Sequence, residues 1–310
     1  MSARILLSGA SGLLGTALRD VLARREMRFL QLVRRSAGEN THVWNPRENL
    51  SARSLAPLEG CRAAIHLSGA SIDAHRWTAS YRRELIESRV ASTRVLAQSL
   101  ARLHRPPEAL IVSSAVGIYG DRGDEILDES TQSGSGFLAE LCQEWEAAAA
   151  PARKAGIRVI HLRTGVVLSA RGGALVKMLP LFRRGLGGPL GSGRQWMSWI
   201  EIDDAVRAIL FLLEHTELRG PVNLTAPEPV TNAEFTRALA QALHRPAFLR
   251  APAFALRLAL GEMARETLLA SQRAYPARLA QARFPFSCAR IDEALAALFD
   301  PAHGRDSALS

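Results

Sequence analysis

Three glycines at three-residue spacing constrain this chain more than any other feature. In "LLSGASGLLGTALRDVLARR", Gly9, Gly12 and Gly15 stand between a short apolar run, 4–8, and a helical pattern over 16–25. A strand ending at Ser8 and leading at once into a helix needs a tight turn, which a residue without Cβ supplies at Gly9. Gly12 removes a side chain where backbone must approach a bound group, and Gly15 lets the helix pack closely on the strand. The helix opening, with Ser11, Leu13 and Leu14 beside the glycines, offers free N–H groups and a partial positive charge. That combination suits the pyrophosphate of a dinucleotide.

The alternation that follows fixes the fold class. Strand-like runs at 28–33, 63–67, 109–113 and 158–162 are separated by helical patterns at 78–103 and 137–155. Such alternation implies right-handed βαβ crossovers and an α/β fold with a doubly wound, mostly parallel sheet of the Rossmann kind. A helix (203–214), a strand (221–224) and a helix (232–243) come next, and the tail from Ala251 is largely helical. The expected division is a dinucleotide-binding core over 1–165, then the remaining elements and a small, mainly helical substrate lobe over 166–310, with some interleaving. The glycine-rich run 185–193 lacks a following Lys-Ser/Thr and reads as a flexible wall of the substrate pocket, not as a Walker loop.

The end of the second strand selects the cofactor. An acid there would hold a ribose 2′-OH, and a base would hold a 2′-phosphate. This chain has Arg34 and Arg35 in "FLQLVRRSAG" and no acid. They point to NADP(H), the alternative being an arginine pair on a surface turn.

Composition narrows the remaining classes. With 47% hydrophobic and 22% charged residues, the chain is an ordinary globular protein. No run is apolar enough to span a bilayer and nothing resembles a signal peptide, so a membrane partner is not expected. Cys61, Cys142 and Cys288 are odd in number and far apart, which fits a reduced, cytoplasmic setting without a metal site. The net charge of +9 comes from scattered arginines, with Lys154 and Lys177 the only lysines. This pattern argues compositional bias, not a nucleic-acid footprint.

With these residues assembled, the chain resembles an extended short-chain dehydrogenase/reductase, the class of sugar-nucleotide epimerases. "IHLSGAS" resembles the loop after the fourth strand that lies along the cofactor, with Leu67, Ser68 and Gly69. "ESRVASTRVL" resembles the next helix, with Arg89 near the nicotinamide ribose and Glu84 on the same segment. "GSGRQWMSWIEIDDAVRAIL" resembles the stretch that frames the substrate pocket. More closely, "RWTASYRRELIESR", "SSAVGIYGD", "FLAELCQEWEAAA" and "RTGVVLSARGGAL" resemble the atypical YfcH-like epimerase family across nearly the whole chain. The resemblance implies NADP(H) bound also by Arg163 and Val166, and a small-molecule substrate such as a carbonyl compound or nucleotide sugar.

The same resemblance exposes a departure. The class uses Tyr as acid/base with Lys four residues later, because a phenol near pKa 10 needs a cation to act at neutral pH. Here Phe137 and Leu141 fall at those places, Ala115 falls at the Ser/Thr place, and 120–153 contains no Tyr or Lys. Ser114 and Tyr119, on the loop after the strand expected at 109–113, are the remaining catalytic candidates. Tyr119 reads equally as a packed turn aromatic. Trp145 and Glu146 read as a core anchor and a helix charge, Asp203 and Asp204 as a helix start, and His66 and His161 as packing. Two functions stay open: an NADP(H)-dependent oxidoreductase or epimerase of atypical mechanism, and a non-catalytic NADP(H)-binding redox sensor or regulatory protein.

Overall fold

The computed structural model describes residues 4–35 and 38–299. The chain divides into two compact units, each assembled from three segments. One comprises the described part of Met1–Ala115 with Glu140–Arg163 and Val206–Val222. The other comprises Val116–Ala139, Thr164–Ala205 and the described part of Asn223–Ser310. A boundary near residue 165 is therefore one of several, because the chain crosses between the units repeatedly.

The first unit is built on a seven-stranded sheet. Its strands are β1 (Ile5–Ser8), β2 (Phe29–Val33), β3 (Thr41–Val43), β4 (Ala63–His66), β5 (Ala109–Ala115), β6 (Arg158–Thr164) and β7 (Gly220–Leu224), and their order is β7-β6-β5-β4-β1-β2-β3. Every pair from β3 through β2, β1 and β4 to β5 is parallel. All residues of β1 and β4 are buried. They are central strands, so continuous apolar runs replace alternation. The strand order reverses between β1 and β4, and ligands of open α/β sheets bind at the carboxyl ends beside such a reversal. Gly9 follows β1 and Leu67 follows β4, so both expected cofactor loops meet there.

The helices depart from the sequence reading in three places. α1 (Leu13–Arg24) starts three residues earlier than periodicity indicated, because Gly12 is its N-cap. The long helix expected over 78–103 runs as α2 (Ala79–Ile86), a π-helical turn (Glu87–Ala91) and α3 (Ser92–Ala101). α4 (Phe137–Ala147) also stops short of 155, and a separate short helix covers Ala150–Lys154 with Pro151 in its first turn.

The second unit has its own core. Leu175 and Leu179 of α5 (Gly173–Arg183), Phe235 and Leu239 of α7 (Asn232–Ala242) and Leu295 of α9 (Ile291–Phe299) pack with Trp199. α6 (Ile202–Glu214) leads from this unit into the first, and α8 (Ala253–Leu260) belongs to the second. Three small strand pairs lie among the helices: 166–168 with 199–201, 196–197 with 230–231, and 126–127 with 273–274.

Candidate cofactor site

The glycine loop has the geometry its spacing demands. Gly9 has φ +75°, and a Cβ there would lie 2.5 Å from the Leu67 carbonyl carbon, so a side chain would collide with the neighbouring loop. A Cβ on Gly15 would lie 2.1 Å from the Gly9 carbonyl oxygen. Around Gly12 a Cβ would meet only the Gly9 oxygen, at 3.4 Å. Two glycines thus serve backbone packing, and the third leaves room on the exposed side of the α1 N-terminus. No side chain caps this helix and its first turn carries no acid, so its N–H groups suit an anion. Ser11 is exposed, Leu13 and Leu14 open α1, and Arg34 and Arg35 are exposed just past β2. These residues fit a phosphorylated dinucleotide.

A buried polar chain supports the loop from behind. Ser8 Oγ lies 2.5 Å from His66 Nδ1, and His66 Nε2 lies 3.2 Å from Ser92 Oγ. Ser92 in turn donates to the Ser88 carbonyl at 2.7 Å, within the π-helical turn. The extra residue of that turn carries Arg89 inward, as π-bulges do at many functional sites. Arg89 is 9% exposed and donates to the Ala70 carbonyl at 2.8 Å, and its guanidinium would touch a Cβ on Gly69. It also lies 5.2 Å over the Trp145 ring. Arg89 therefore joins Leu67, Ser68 and Gly69 beside the cofactor loop. Glu84 lies on α2 with its side chain exposed.

Histidine burial gives this unit a pH dependence. His66 and His161 are both pushed down to about 4, chiefly by desolvation. Below the ordinary pKa of about 6.5 the unfolded chain takes up protons that the folded one refuses, so stability falls as pH drops toward 4. Glu201 in the second unit opposes this, since burial and then Asp203 push it up to about 7. Its contribution is present at low pH and is lost as pH rises through 7, which offsets one of the two histidine protons. The expected net loss between about pH 6.5 and about pH 5 is about 2 kcal/mol. Urea midpoints should record it, and His66→Gln should abolish most of the slope.

The catalytic candidates are placed differently from one another. Ser114, at the end of β5, is 4% exposed and donates to Glu146 Oε1 at 2.9 Å. Arg163 reaches the same carboxylate through Nε at 2.9 Å and a terminal nitrogen at 3.1 Å. Glu146 is thus the centre of a buried network, where sequence reading took it for a helix charge. Arg163, expected on the cofactor, is paired with it. Cys142, one turn earlier on α4, is pushed up to about 12 by burial and by Glu146, so its thiol stays protonated. Tyr119 is fully buried in the second unit, its hydroxyl 2.7 Å from Asn223 Oδ1 and 2.9 Å from the Asp128 carbonyl. That is the geometry of a packed turn aromatic.

Phe137 opens α4 and Leu141 lies buried one turn later. The Phe137 and Leu138 N–H groups donate to the Glu266 carboxylate at 3.2 and 2.8 Å, a cap from 128 residues away that sequence reading missed. Val166 belongs to the strand pair of the second unit. Asp204 accepts the N–H groups of Ser287 and Cys288, so it anchors the tail besides starting α6. The glycines of 185–193 serve close packing: a Cβ on Gly188 would lie 2.1 Å from the Leu249 carbonyl oxygen. Among the described residues no group of His, Cys, Asp and Glu could hold a metal, and no helix is long and apolar enough to cross a membrane.

The model of the NAD dependent epimerase/dehydratase family matches residues 5–224, and residues 251–298 match a domain of unknown function, DUF1731. The chain belongs to the NAD dependent epimerase/dehydratase family. Its relatives within that family include Epimerase family protein ML0860 of Mycobacterium leprae, 44% identical over 94% of this chain and 94% of that one. Human Epimerase family protein SDR39U1 is 35% identical over 94% of this chain and 98% of its own length. The crystal structure of human SDR39U1 isoform 2 with NADPH superposes with a TM-score of 0.88, covering 96% of this chain and 99% of that one at 31% identity. A nucleoside-diphosphate sugar epimerase of Corynebacterium glutamicum superposes with a TM-score of 0.78 at 35% identity, covering 99% of this chain and 61% of that one. The atypical epimerase resemblance read from the sequence therefore holds.

Proposed function

We propose that this chain binds NADP(H) in its first unit and is an oxidoreductase of the epimerase family that works without the Tyr–Lys dyad. The observation that carries the reading is the glycine loop: packed at Gly9 and Gly15, open at Gly12, with Arg34 and Arg35 exposed past β2. The NADPH in the structure of the human relative supports the choice of dinucleotide. Bound there, NADP(H) would supply hydride exchange at a carbon bearing oxygen. Ser114 is the group we assign to the substrate oxygen. Its O–H already points at Glu146, so an incoming hydroxyl can pass its proton to Ser114 Oγ while the serine proton moves to the carboxylate. Arg163 holds the Glu146 carboxylate in place for that transfer through its two contacts. The substrate class is a small carbonyl compound or a nucleotide sugar, the second suggested by the Corynebacterium relative. The three buried free cysteines accord with a cytoplasmic, reducing setting.

One observation favours a second reading. Ser114 is 4% exposed and Tyr119 is fully buried, so neither hydroxyl stands open to a substrate. On that reading the chain binds NADP(H) and reports redox state without turnover. Two measurements decide. Arg34→Ala/Arg35→Ala should weaken NADPH by about 30-fold in calorimetry while leaving NADH unchanged, two charge-assisted contacts being worth roughly 2 kcal/mol together. Equal affinities in wild type and variant would remove the NADP(H) assignment. NADPH oxidation should then be followed across aldehydes, ketones and nucleotide sugars: turnover lost in Ser114→Ala supports the enzyme, and tight binding without turnover on any of them supports the sensor.

A further inference from the structure

The second unit carries a surface that the cofactor reading does not use. Phe248, Phe254 and Leu258 are 72%, 74% and 78% exposed, and Leu181, Leu186 and Leu249 are each about half exposed, at 52%, 49% and 46%. Single exposed apolar residues need no explanation, but a contiguous group of this size does. The segments that carry them are joined. The Leu249 N–H donates to the Gly187 carbonyl at 3.1 Å and the Ala251 N–H to the Pro189 carbonyl at 3.0 Å, so 186–190 and 248–252 run side by side. Arg245 Nε donates to the Arg183 carbonyl at 3.1 Å and ties in the end of α5. Phe254 and Leu258 are four apart on α8, a helix with no buried residue, and project from one side of it.

The charges on the same segments are all of one sign. Residues 176–194 contain Lys177, Arg183, Arg184 and Arg194, and residues 244–260 contain Arg245, Arg250 and Arg257; neither contains Asp or Glu. All seven cations are exposed, on a chain whose whole net charge is +9. Beside Phe248 lies an open hollow of about 820 Å³, lined by Thr236, Arg237, Gln241, His244 and Arg245 together with prolines and alanines. A second copy of the chain would bring this cationic face against itself. Exposed phenylalanine and leucine interleaved with arginine is instead the composition of helices that lie in a lipid interface.

We propose that this face of the second unit docks on an anionic phospholipid surface, its aromatic and leucine side chains entering the headgroup layer and the hollow taking a lipid phosphate. No spanning helix is required, so the contact is peripheral and reversible. It is independent of the cofactor assignment.

Co-sedimentation of the full chain with vesicles tests the proposal. Vesicles of phosphatidylcholine mixed with phosphatidylglycerol should bind it at least about tenfold more strongly than phosphatidylcholine alone, and salt should reduce the difference. Each guanidinium near an anionic leaflet is worth about fivefold in partitioning, so Arg250→Glu/Arg257→Glu should reduce binding about 25-fold or more. Phe254→Ser/Leu258→Ser should reduce it as well, with NADPH affinity and the unfolding midpoint unchanged as evidence of an intact chain. Equal binding to both vesicle types, or binding indifferent to all four substitutions, would overturn the proposal. So would a concentration-dependent dimer in light scattering that Phe254→Ser/Leu258→Ser dissolves while anionic vesicles bind nothing, which would assign the face to a second copy.

Discussion

Gly15→Ala is expected to lower NADPH affinity by about 100-fold and to cost about 3 kcal/mol of stability, whereas Gly12→Ala should cost affinity alone. The two substitutions add the same methyl group to neighbouring turns of one loop. At Gly15 the new carbon would stand 2.1 Å from the Gly9 carbonyl oxygen and 2.9 Å from the Ala10 Cα, both backbone atoms that cannot turn aside. The loop must open or α1 must lift from β1, and either movement spoils the cradle. At Gly12 the carbon stands 3.4 Å from one carbonyl oxygen with nothing else within 4 Å, so the folded chain accommodates it within about 1 kcal/mol. The methyl group would fill the space a pyrophosphate needs. Calorimetric titration and urea unfolding on both variants check the contrast. If Gly12→Ala leaves NADPH binding intact, the phosphates do not lie against this loop and the cofactor assignment fails.

The glycine loop and the arginine pair of the candidate site are legible because their signals are local. Gly9, Gly12 and Gly15 announce a strand, a turn and a helix within eleven residues, and Arg34 and Arg35 follow the next strand directly. What escaped depends on partners far along the chain. Glu146 looked like a helix charge because Ser114 and Arg163, which make it the centre of a network, are 32 and 17 residues away. Tyr119 stayed open between a catalytic hydroxyl and a packed aromatic because Asn223, which occupies its hydroxyl, lies 104 residues on. The π-helical turn at 87–91 escaped because helical patterns continue on both sides of it, so the stretch reads as one long helix although the extra residue offsets the apolar phase by about 100°. β3 escaped for another reason: three partly exposed residues at the sheet edge carry no apolar run. The interleaving of the two units is likewise a property of topology.

The partly buried Glu146 carboxylate yields the second large effect. Glu146→Ala removes the group that pairs with Arg163, at a position where the arginine side chain is only 10% exposed and the glutamate 14%. Breaking one side of such a pair costs about 3–5 kcal/mol, because the remaining charge keeps its desolvation cost and loses its counter-charge. The Ser114 hydroxyl loses its acceptor too. Removing both charges together should hurt less than the two single losses combined, so Glu146→Ala/Arg163→Ala is expected to recover about 2 kcal/mol relative to additivity. Urea unfolding of the four proteins in the cycle measures that coupling. Glu146→Gln then separates structure from chemistry, since it preserves the shape and the acceptor for Ser114 but cannot take up a proton as the carboxylate does. If Glu146 is the proton sink of a working enzyme, this variant should bind NADPH normally and lose about 100-fold in kcat. If the network only locks β5 to α4, the variant should instead keep its kcat, and any change should track stability. A coupling near zero in the cycle would contradict both roles, because it would mean that the two side chains do not sense each other in solution.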